Sequence, residues 1–200
     1  MRYVALGDSY TIGTGLDDPG ARWPTQLVAR LAERGVRLVL VENLGVNGYT
    51  SADLIRDELP RLNELDAEFV TVLIGVNDVV QGVPENAYAD NVAAILDDLL
   101  GRVPADRIVC IATPDYTVTP QGSAYGDPTQ QRAAIERANE LMSEACGSRG
   151  IAFVAEVHAI SRSLGDDAAM LAADGLHPSG EQYARWVDAI APVVRPLIEP

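Results

Sequence analysis

The chain is poor in the residues on which several classes of protein depend. It has two cysteines and two histidines, and its 15 basic residues are outnumbered by 29 acidic ones, giving a formal charge of −14. Two cysteines, both in apolar or helical patterns, argue for buried thiols rather than a disulfide scaffold. The negative field repels phosphate backbones and anionic lipids, so binding to nucleic acid or to a membrane surface is not expected.

Long apolar runs are also missing. No stretch approaches the roughly 18 residues that a membrane span requires, so none is predicted. Met1–Leu6 is too short for a secretory signal and runs directly into Gly7 and Asp8, which predicts a cytoplasmic location. With 48% hydrophobic residues and no repeat or long linker, residues 1–200 are expected to form one domain. Nothing in the sequence predicts an oligomeric state.

Short runs rich in valine and isoleucine alternate with amphipathic patterns. Strands are predicted at Arg2–Leu6, Arg37–Val41, Phe69–Ile74, Arg107–Ala112 and Ile151–Val154. Helices are predicted at Trp23–Arg34, Ser51–Leu59 with a capping box from Thr50, Asn86–Leu100, Thr129–Ala145 and Glu181–Val194 with a bend at Pro192. This alternation predicts an α/β fold, a five-stranded parallel sheet between helical layers in the flavodoxin-like order.

Polar clusters directly follow the predicted strands. The first strand leads into Gly7-Asp8-Ser9-Tyr10, the second into the stretch 43–48, and the third into Gly75-Val76-Asn77-Asp78. A further cluster, Asp174-Gly175-Leu176-His177-Pro178, precedes the last helix. Open parallel sheets bind ligands beyond the carboxyl ends of their strands, where such loops converge. The sequence therefore predicts that these clusters form one site.

A serine hydroxyl is a poor nucleophile and needs an adjacent base. His177 has Asp174 three residues before it, close enough for the carboxylate to hold the imidazole while the other ring nitrogen accepts the Ser9 proton. His158 lies beyond the last strand and is predicted to make an ordinary polar contact. Ser9, His177 and Asp174 are therefore predicted as nucleophile, base and orienting acid.

Attack on an ester carbonyl creates an oxyanion, which needs donors fixed in advance. The backbone N–H groups of Ser9 and Gly48 and the side-chain amide of Asn77 are predicted to supply them. Glycine at position 48 is expected because a side chain there would block close approach.

Each motif alone has a structural explanation: a turn, a loop or a helix cap. Their joint occurrence at one sheet edge predicts a serine esterase. Two alternatives stay open. A non-catalytic flavodoxin-like binding module is compatible with the fold, and the hydroxyls within residues 7–13 would suit a flavin phosphate. A metal hydrolase is disfavoured, since the few histidines and scattered acids show no ligand spacing.

These residues resemble the four sequence blocks of the SGNH hydrolases, also called GDSL esterases and lipases. Residues 7–10 are similar to the first block, with Tyr10 where the GDSL label has leucine. Asn77 matches the third block, and Asp174 with His177 the last. Gly45 and Gly48 both lie in the second block, and Gly48 is chosen because a short polar pair follows it and leads into a helix.

The resemblance implies a three-layer α/β/α fold, no metal, no organic cofactor and an acyl-enzyme intermediate. The expected substrate is a small ester, with short-chain acyl or acetyl groups favoured and thioesterase or lysophospholipase activity as the alternative. Asp8 and Asp78 are predicted to brace the loops rather than take part in the chemistry. The loop Pro114–Asp127 is either a passive excursion or a wall of the site, to which Tyr116 and Tyr125 would contribute.

Overall fold

A parallel sheet forms the centre of the computed structural model, which describes residues 1–199. Its strands are β1 (Arg2–Gly7), β2 (Val39–Asn43), β3 (Phe69–Leu73), β4 (Ile108–Ile111) and β5 (Ala152–Val154). They lie in the order β2-β1-β3-β4-β5, and all neighbours are parallel. This confirms the predicted five-stranded flavodoxin-like sheet.

The second strand begins two residues later than predicted. Val36 N–H still donates to the Leu31 carbonyl at the end of the preceding helix, whereas Val39 N–H donates to the carbonyl of Met1, the residue before β1. Val36 and Leu38 are buried all the same. Burial without sheet hydrogen bonds explains why hydropathy alone placed the strand too early.

Helices cover both faces of the sheet. Within residues 1–199 the α-helices are α1 (Ser9–Ile12), α2 (Trp23–Ala32), α3 (Ser51–Asp53), α4 (Leu62–Leu65), α5 (Val76–Val80), α6 (Glu85–Leu100), α7 (Pro128–Gly147), α8 (Glu156–Leu164) and α9 (Gly180–Ile198). None of the helices in this described part is both long and apolar enough to cross a lipid bilayer.

Side chains of β1 alternate between two hydrophobic layers, as expected for a strand buried on both faces. Tyr3 and Ala5 pack with α2, α8 and α9, whereas Val4 and Leu6 pack with α6 and α7. The second layer also contains Cys110 and Cys146, which are buried free thiols as predicted. The result is the three-layer α/β/α architecture.

The segment after Thr50 is less regular than the single helix predicted over Ser51–Leu59. The predicted capping box is present, because Thr50 and Asp53 each accept from the other's backbone N–H. After α3, however, Leu54–Glu58 forms a π turn, followed by a 3₁₀ turn at Leu59–Arg61. The π turn admits one extra residue, so that Glu58 and Leu59 are both buried.

Two further differences concern the C-terminal half. Helix α8 was not predicted, although it contains His158. Helix α9 continues through Pro192 and Pro196 to Ile198, four residues beyond the predicted end. Proline removes a backbone donor within a helix, and the buried apolar face of α9, which includes Trp186 and Ile190, outweighs that loss.

Candidate active site

Ser9 is presented by a sharp turn at the end of β1. Gly7 has φ of 148°, and a Cβ there would lie 2.1 Å from the Leu73 carbonyl oxygen, so only glycine fits. Asp8 then caps α1, its Oδ1 accepting from Tyr10 N–H at 2.9 Å. Ser9 is thus the first residue of α1, where backbone N–H groups have no partner within the helix.

His177 and Asp174 complete a chain of hydrogen bonds that ends at Ser9. His177 Nε2 lies 2.9 Å from Ser9 Oγ, although the two residues are 168 positions apart in sequence. His177 Nδ1 lies 2.6 Å from Asp174 Oδ2. With the ring proton on Nδ1 facing the carboxylate, Nε2 is free to accept the serine proton. The structure therefore brings the three predicted residues together.

Asp174 and His177 lie on one short closed loop, held by an antiparallel bridge between Leu171 and Pro178. Ala172 N–H donates to the His177 carbonyl at 2.7 Å, which closes the loop from inside. Asp174 Oδ1 accepts from the backbone N–H groups of Leu176 and His177, both at 2.9 Å. Partial burial opposes ionisation of Asp174, but these hydrogen bonds and the one from the imidazole outweigh it and lower its pKa.

Donors from three strand ends lie beside the serine. Gly48 has a left-handed φ of 84°, and its carbonyl accepts from Gln81 Nε2 at 3.0 Å. Its N–H has no protein acceptor among residues 1–199. Asn77 Nδ2 donates to the Tyr49 carbonyl at 2.9 Å, which leaves the second hydrogen of that amide available. Ser9, Gly48 and Asn77 all line the same cavity.

Glycine at position 48 is favoured by the conformation of its backbone. A Cβ there would meet no protein atom within 4 Å, and the expectation that a side chain would block close approach to the N–H stays a prediction. The left-handed backbone is the constraint, because it turns the chain between β2 and α3. Gly45, the other candidate in this block, does not line the cavity, and its N–H donates to Asn43 Oδ1.

Asp78 braces the loops on either side of the cavity and does not line it. Its Oδ2 accepts from Ser51 N–H at 2.9 Å, and its Oδ1 accepts from the Ser51 hydroxyl, so that α5 is tied to the start of α3. Asn91 Nδ2 donates to the same hydroxyl. The loops that carry Gly48 and Asn77 are therefore cross-linked through a buried carboxylate.

Tyr10, at the position of leucine in the GDSL label, packs against the imidazole. Its ring centroid lies 5.2 Å from that of His177 at an interplanar angle of 53°, and 6.2 Å from that of Trp186. The aromatic ring thereby limits the orientations open to His177.

The cavity beside Ser9 has a volume of about 210 Å³ and mostly apolar walls. They are supplied by Tyr10, Val76, Val80, Tyr116, Tyr125 and Leu176. Tyr116 is buried, and its hydroxyl donates to Gln131 at 2.7 Å. Tyr125 is 42% exposed and packs edge-on against Tyr116 at 5.6 Å. The loop Pro114–Asp127 thus contributes one fixed and one exposed aromatic ring to the cavity.

Three participants were missed from the sequence. Gln81 and Ser51 hold the loops through the contacts described above, and Glu58 accepts from Gly7 N–H at 2.9 Å beneath the serine turn. The one available signal for Glu58 was its place on the buried side of a helical pattern that includes Leu54.

His158 lies elsewhere and makes polar contacts, as predicted. Within the described residues no three His, Cys, Asp or Glu side chains are grouped so as to hold a metal ion.

Residues 5–185 match the GDSL-like lipase/acylhydrolase family. The chain belongs to this family. Its GDSL-like relatives include the GDSL lipase Rv0518 of Mycobacterium tuberculosis, which is 27% identical over 200 residues that cover 96% of this chain and 80% of that lipase.

Solved structures share the fold over nearly the whole length. TesA has a TM-score of 0.78 at 23% identity and covers 98% of this chain and 99% of its own. A lipase/acylhydrolase from Enterococcus faecalis has a TM-score of 0.75 at 21% identity, covering 100% and 97%. This GDSL-like chain is an ester hydrolase, which confirms the prediction of an enzyme over that of a non-catalytic module.

Proposed function

We propose that the protein is a serine esterase in which Ser9 is the nucleophile, His177 the general base and Asp174 the residue that orients it. The observation that carries this proposal is the continuous chain from Asp174 Oδ2 through both imidazole nitrogens to Ser9 Oγ, with separations of 2.6 and 2.9 Å. These lie within the range needed for proton transfer. Ser9 and His177 are 4% and 7% exposed, so the pair is largely shielded from water.

The reaction is a double displacement. Ser9 Oγ attacks the ester carbonyl carbon while its proton passes to His177 Nε2. The carbonyl oxygen becomes an oxyanion beside the N–H groups of Ser9 and Gly48 and the amide of Asn77. The C–O bond to the alcohol then breaks, and the alcohol leaves with the proton from His177. Water repeats the sequence on the acyl-enzyme and releases the acid.

The substrate that we propose is a small uncharged ester with a short acyl chain. A cavity of about 210 Å³ with aliphatic and aromatic walls suits a compact apolar group. The formal charge of −14 opposes the approach of polyanionic acyl carriers. Among ester and thioester substrates, these two features favour uncharged short-chain esters.

The test is the variant Ser9→Ala with a p-nitrophenyl acetate assay and a fluorophosphonate probe. Loss of the hydroxyl should lower kcat by about 10⁴-fold or more, because no other group can form the acyl-enzyme. Mass spectrometry of the labelled wild type should find the phosphonyl adduct on the peptide that contains Ser9.

Ser163→Ala is the matched control. Ser163 is exposed, and its hydroxyl donates to the Ile160 carbonyl of its own helix, so this variant should keep wild-type activity and labelling. Full activity in a folded Ser9→Ala sample, or an adduct on another residue, would reject Ser9 as the nucleophile.

A further inference from the structure

Two buried carboxyl groups lie beneath the turn that presents Ser9. Asp8 is 0% exposed and Glu58 is 2% exposed. Asp8 Oδ1 accepts from Tyr10 N–H and Glu58 Oε2 from Gly7 N–H, both at 2.9 Å. The two carboxyls therefore hold amides on either side of Ser9, Asp8 from within the turn and Glu58 from a separate element.

The second oxygen of each carboxyl is left over. Asp8 Oδ2 and Glu58 Oε1 are both buried and have no hydrogen-bond partner among residues 1–199. No arginine, histidine or N-terminal amine of this part of the chain forms an ion pair with either group. Two buried carboxylates without a cation are costly, whereas protonation removes the charge from each.

We propose that Asp8 and Glu58 are both protonated in the folded enzyme and act as a positioning pair that fixes the serine turn. Glu58 is a positioning residue and touches no reacting atom. The pair acts through Gly7 and Tyr10, whose N–H groups it holds, and so sets the direction of the Ser9 hydroxyl and backbone amide. This effect on catalysis rests on the proposed function of Ser9, whereas the protonation of the two carboxyls does not.

The π turn explains how an acidic residue comes to lie at this place. It is closed by the bond from Leu59 N–H to the Leu54 carbonyl, five residues apart. The extra residue lets Glu58 reach the end of β1 while Leu59 packs in the apolar layer. An irregular turn retained beside a site is a recurrent feature of functional helices.

The electrostatic surroundings favour the protonated form. Burial raises the pKa of Asp8 to about 8, and the charge of Asp78 acts in the same direction. Burial raises the pKa of Glu58 to about 9, and the charges of Asp8 and Asp57 add to it. The other titratable groups that interact with Asp8 are the phenols of Tyr10, Tyr88 and Tyr183. Burial raises the pKa of each phenol, and the charge of Asp8 raises it further, so the phenols stay neutral.

The sign of the resulting pH dependence follows from proton linkage. Both carboxyls have higher pKa values in the folded than in the unfolded chain. At pH values between the unfolded-state pKa and the folded-state pKa, the folded state therefore binds more protons than the unfolded state. Stability from this pair is fully present below about pH 4 and is lost as pH rises towards about 9. Weak alkali should therefore destabilise the wild type by ionising the pair.

Glu58→Gln tests the proposal because glutamine mimics the protonated carboxyl. Its carbonyl oxygen can accept from Gly7 N–H, and its amide carries no titrating proton. The melting temperature is measured from pH 6 to pH 9 for the wild type, Glu58→Gln and the exposed matched control Glu64→Gln. From pH 6 to pH 9, the melting temperatures of the wild type and of Glu64→Gln should fall by roughly 5 °C or more beyond any fall in Glu58→Gln.

Activity supplies the second readout. Glu58→Ala should lower kcat about tenfold with little change in KM, since an unheld turn misplaces the serine without altering the cavity. Glu58→Gln should restore most of that loss at pH 7. The proposal is overturned if the melting temperature of Glu58→Gln falls with pH as steeply as that of Glu64→Gln. If Glu58→Ala is inactive because it unfolds, the comparison of the melting temperatures of Glu58→Gln and Glu64→Gln still decides the proposal. The same comparison decides it if Ser9 is not the nucleophile.

Discussion

Two polar clusters at the carboxyl edge of the same sheet are built from almost the same kinds of residue. The β1–β3 cluster consists of Ser9, Asn77, Asp78 and His177. The β4–β5 cluster, beside the ends of β4 and β5, consists of Asp115, Asn139, His158 and Ser161. Each has a serine, an asparagine, an aspartate and a histidine, yet only the first lines the cavity with an imidazole on a serine hydroxyl.

The difference lies in what the polar groups are bonded to. In the β4–β5 cluster, Asn139 both accepts from Thr113 N–H and donates to its carbonyl. Ser161 accepts from Asp115 N–H and donates to the His158 carbonyl, both at 2.8 Å. These side chains replace backbone partners that the loop after β4 lacks.

In the β1–β3 cluster, the supporting groups are separate from the groups that are proposed to react. Asp78 takes the structural bonds, while Ser9 and Asn77 keep a hydroxyl and an N–H directed at the cavity. Residue type therefore does not identify chemistry at a strand end. The chemistry is identified instead by an unused donor or nucleophile that other residues hold in place.

The sharpest way to test this contrast is to remove the same amide from each cluster. Asn77→Ala should lower kcat on p-nitrophenyl acetate by about 10² to 10³-fold, because one donor to the oxyanion is lost. Asn139→Ala should leave kcat within about threefold and lower the melting temperature instead, since buried backbone groups of Thr113 lose their partner. Both are measured by steady-state kinetics and thermal unfolding. Equal kinetic losses in folded samples would contradict the division of roles.

A smaller effect is expected where the β4 loop meets the cavity. Tyr125→Ala removes an exposed ring and widens the acyl or alcohol side, so kcat/KM should rise about three- to tenfold for longer esters relative to acetate. The readout is a panel of p-nitrophenyl esters from acetate to palmitate, with an acyl thioester included. Tyr125→Phe is the control and should retain the wild-type profile. An unchanged profile in Tyr125→Ala would show that the loop does not determine specificity.

The smallest effect is expected at the second histidine. His158 Nδ1 faces the Thr113 carbonyl at 3.1 Å, and Glu136 lies 3.9 Å from its Nε2, and no hydroxyl of residues 1–199 forms a hydrogen bond with its ring. His158→Gln should keep kcat within about twofold, whereas His177→Gln should behave like Ser9→Ala. The pair of variants is compared in the same ester assay. A large kinetic loss in folded His158→Gln would give the β4–β5 cluster a catalytic role.

The sheet and the convergence of the motifs could be predicted because both depend on local patterns. Buried parallel strands are continuous apolar runs, and glycine with small polar residues marks the turns after them. The ends of the strands and helices depend instead on backbone hydrogen bonds, which a hydropathy pattern does not show. Val36 and Leu38, for example, are buried but form no backbone hydrogen bond with β1.

The supporting residues could not be predicted, for a physical reason. Glu58 reaches Gly7 only because a π turn shifts its position, and a regular helical pattern gives no sign of that turn. Gln81 acts through the carbonyl of Gly48, 33 residues away, from an exposed loop end where glutamine is unremarkable. Contacts of this kind depend on tertiary geometry, whereas the proximity of Ser9, Asp174 and His177 could be predicted from their own chemistry.

The closed loop between Leu171 and Pro178 has a consequence for motion. Because one short ring of backbone carries both Asp174 and His177, the proposed acid and base, any outward swing of that ring would carry the two together, and the separation that changes would be the one to Ser9. The enzyme would thus rest and re-engage by moving one preassembled unit, without rebuilding its acid–base couple at each turnover.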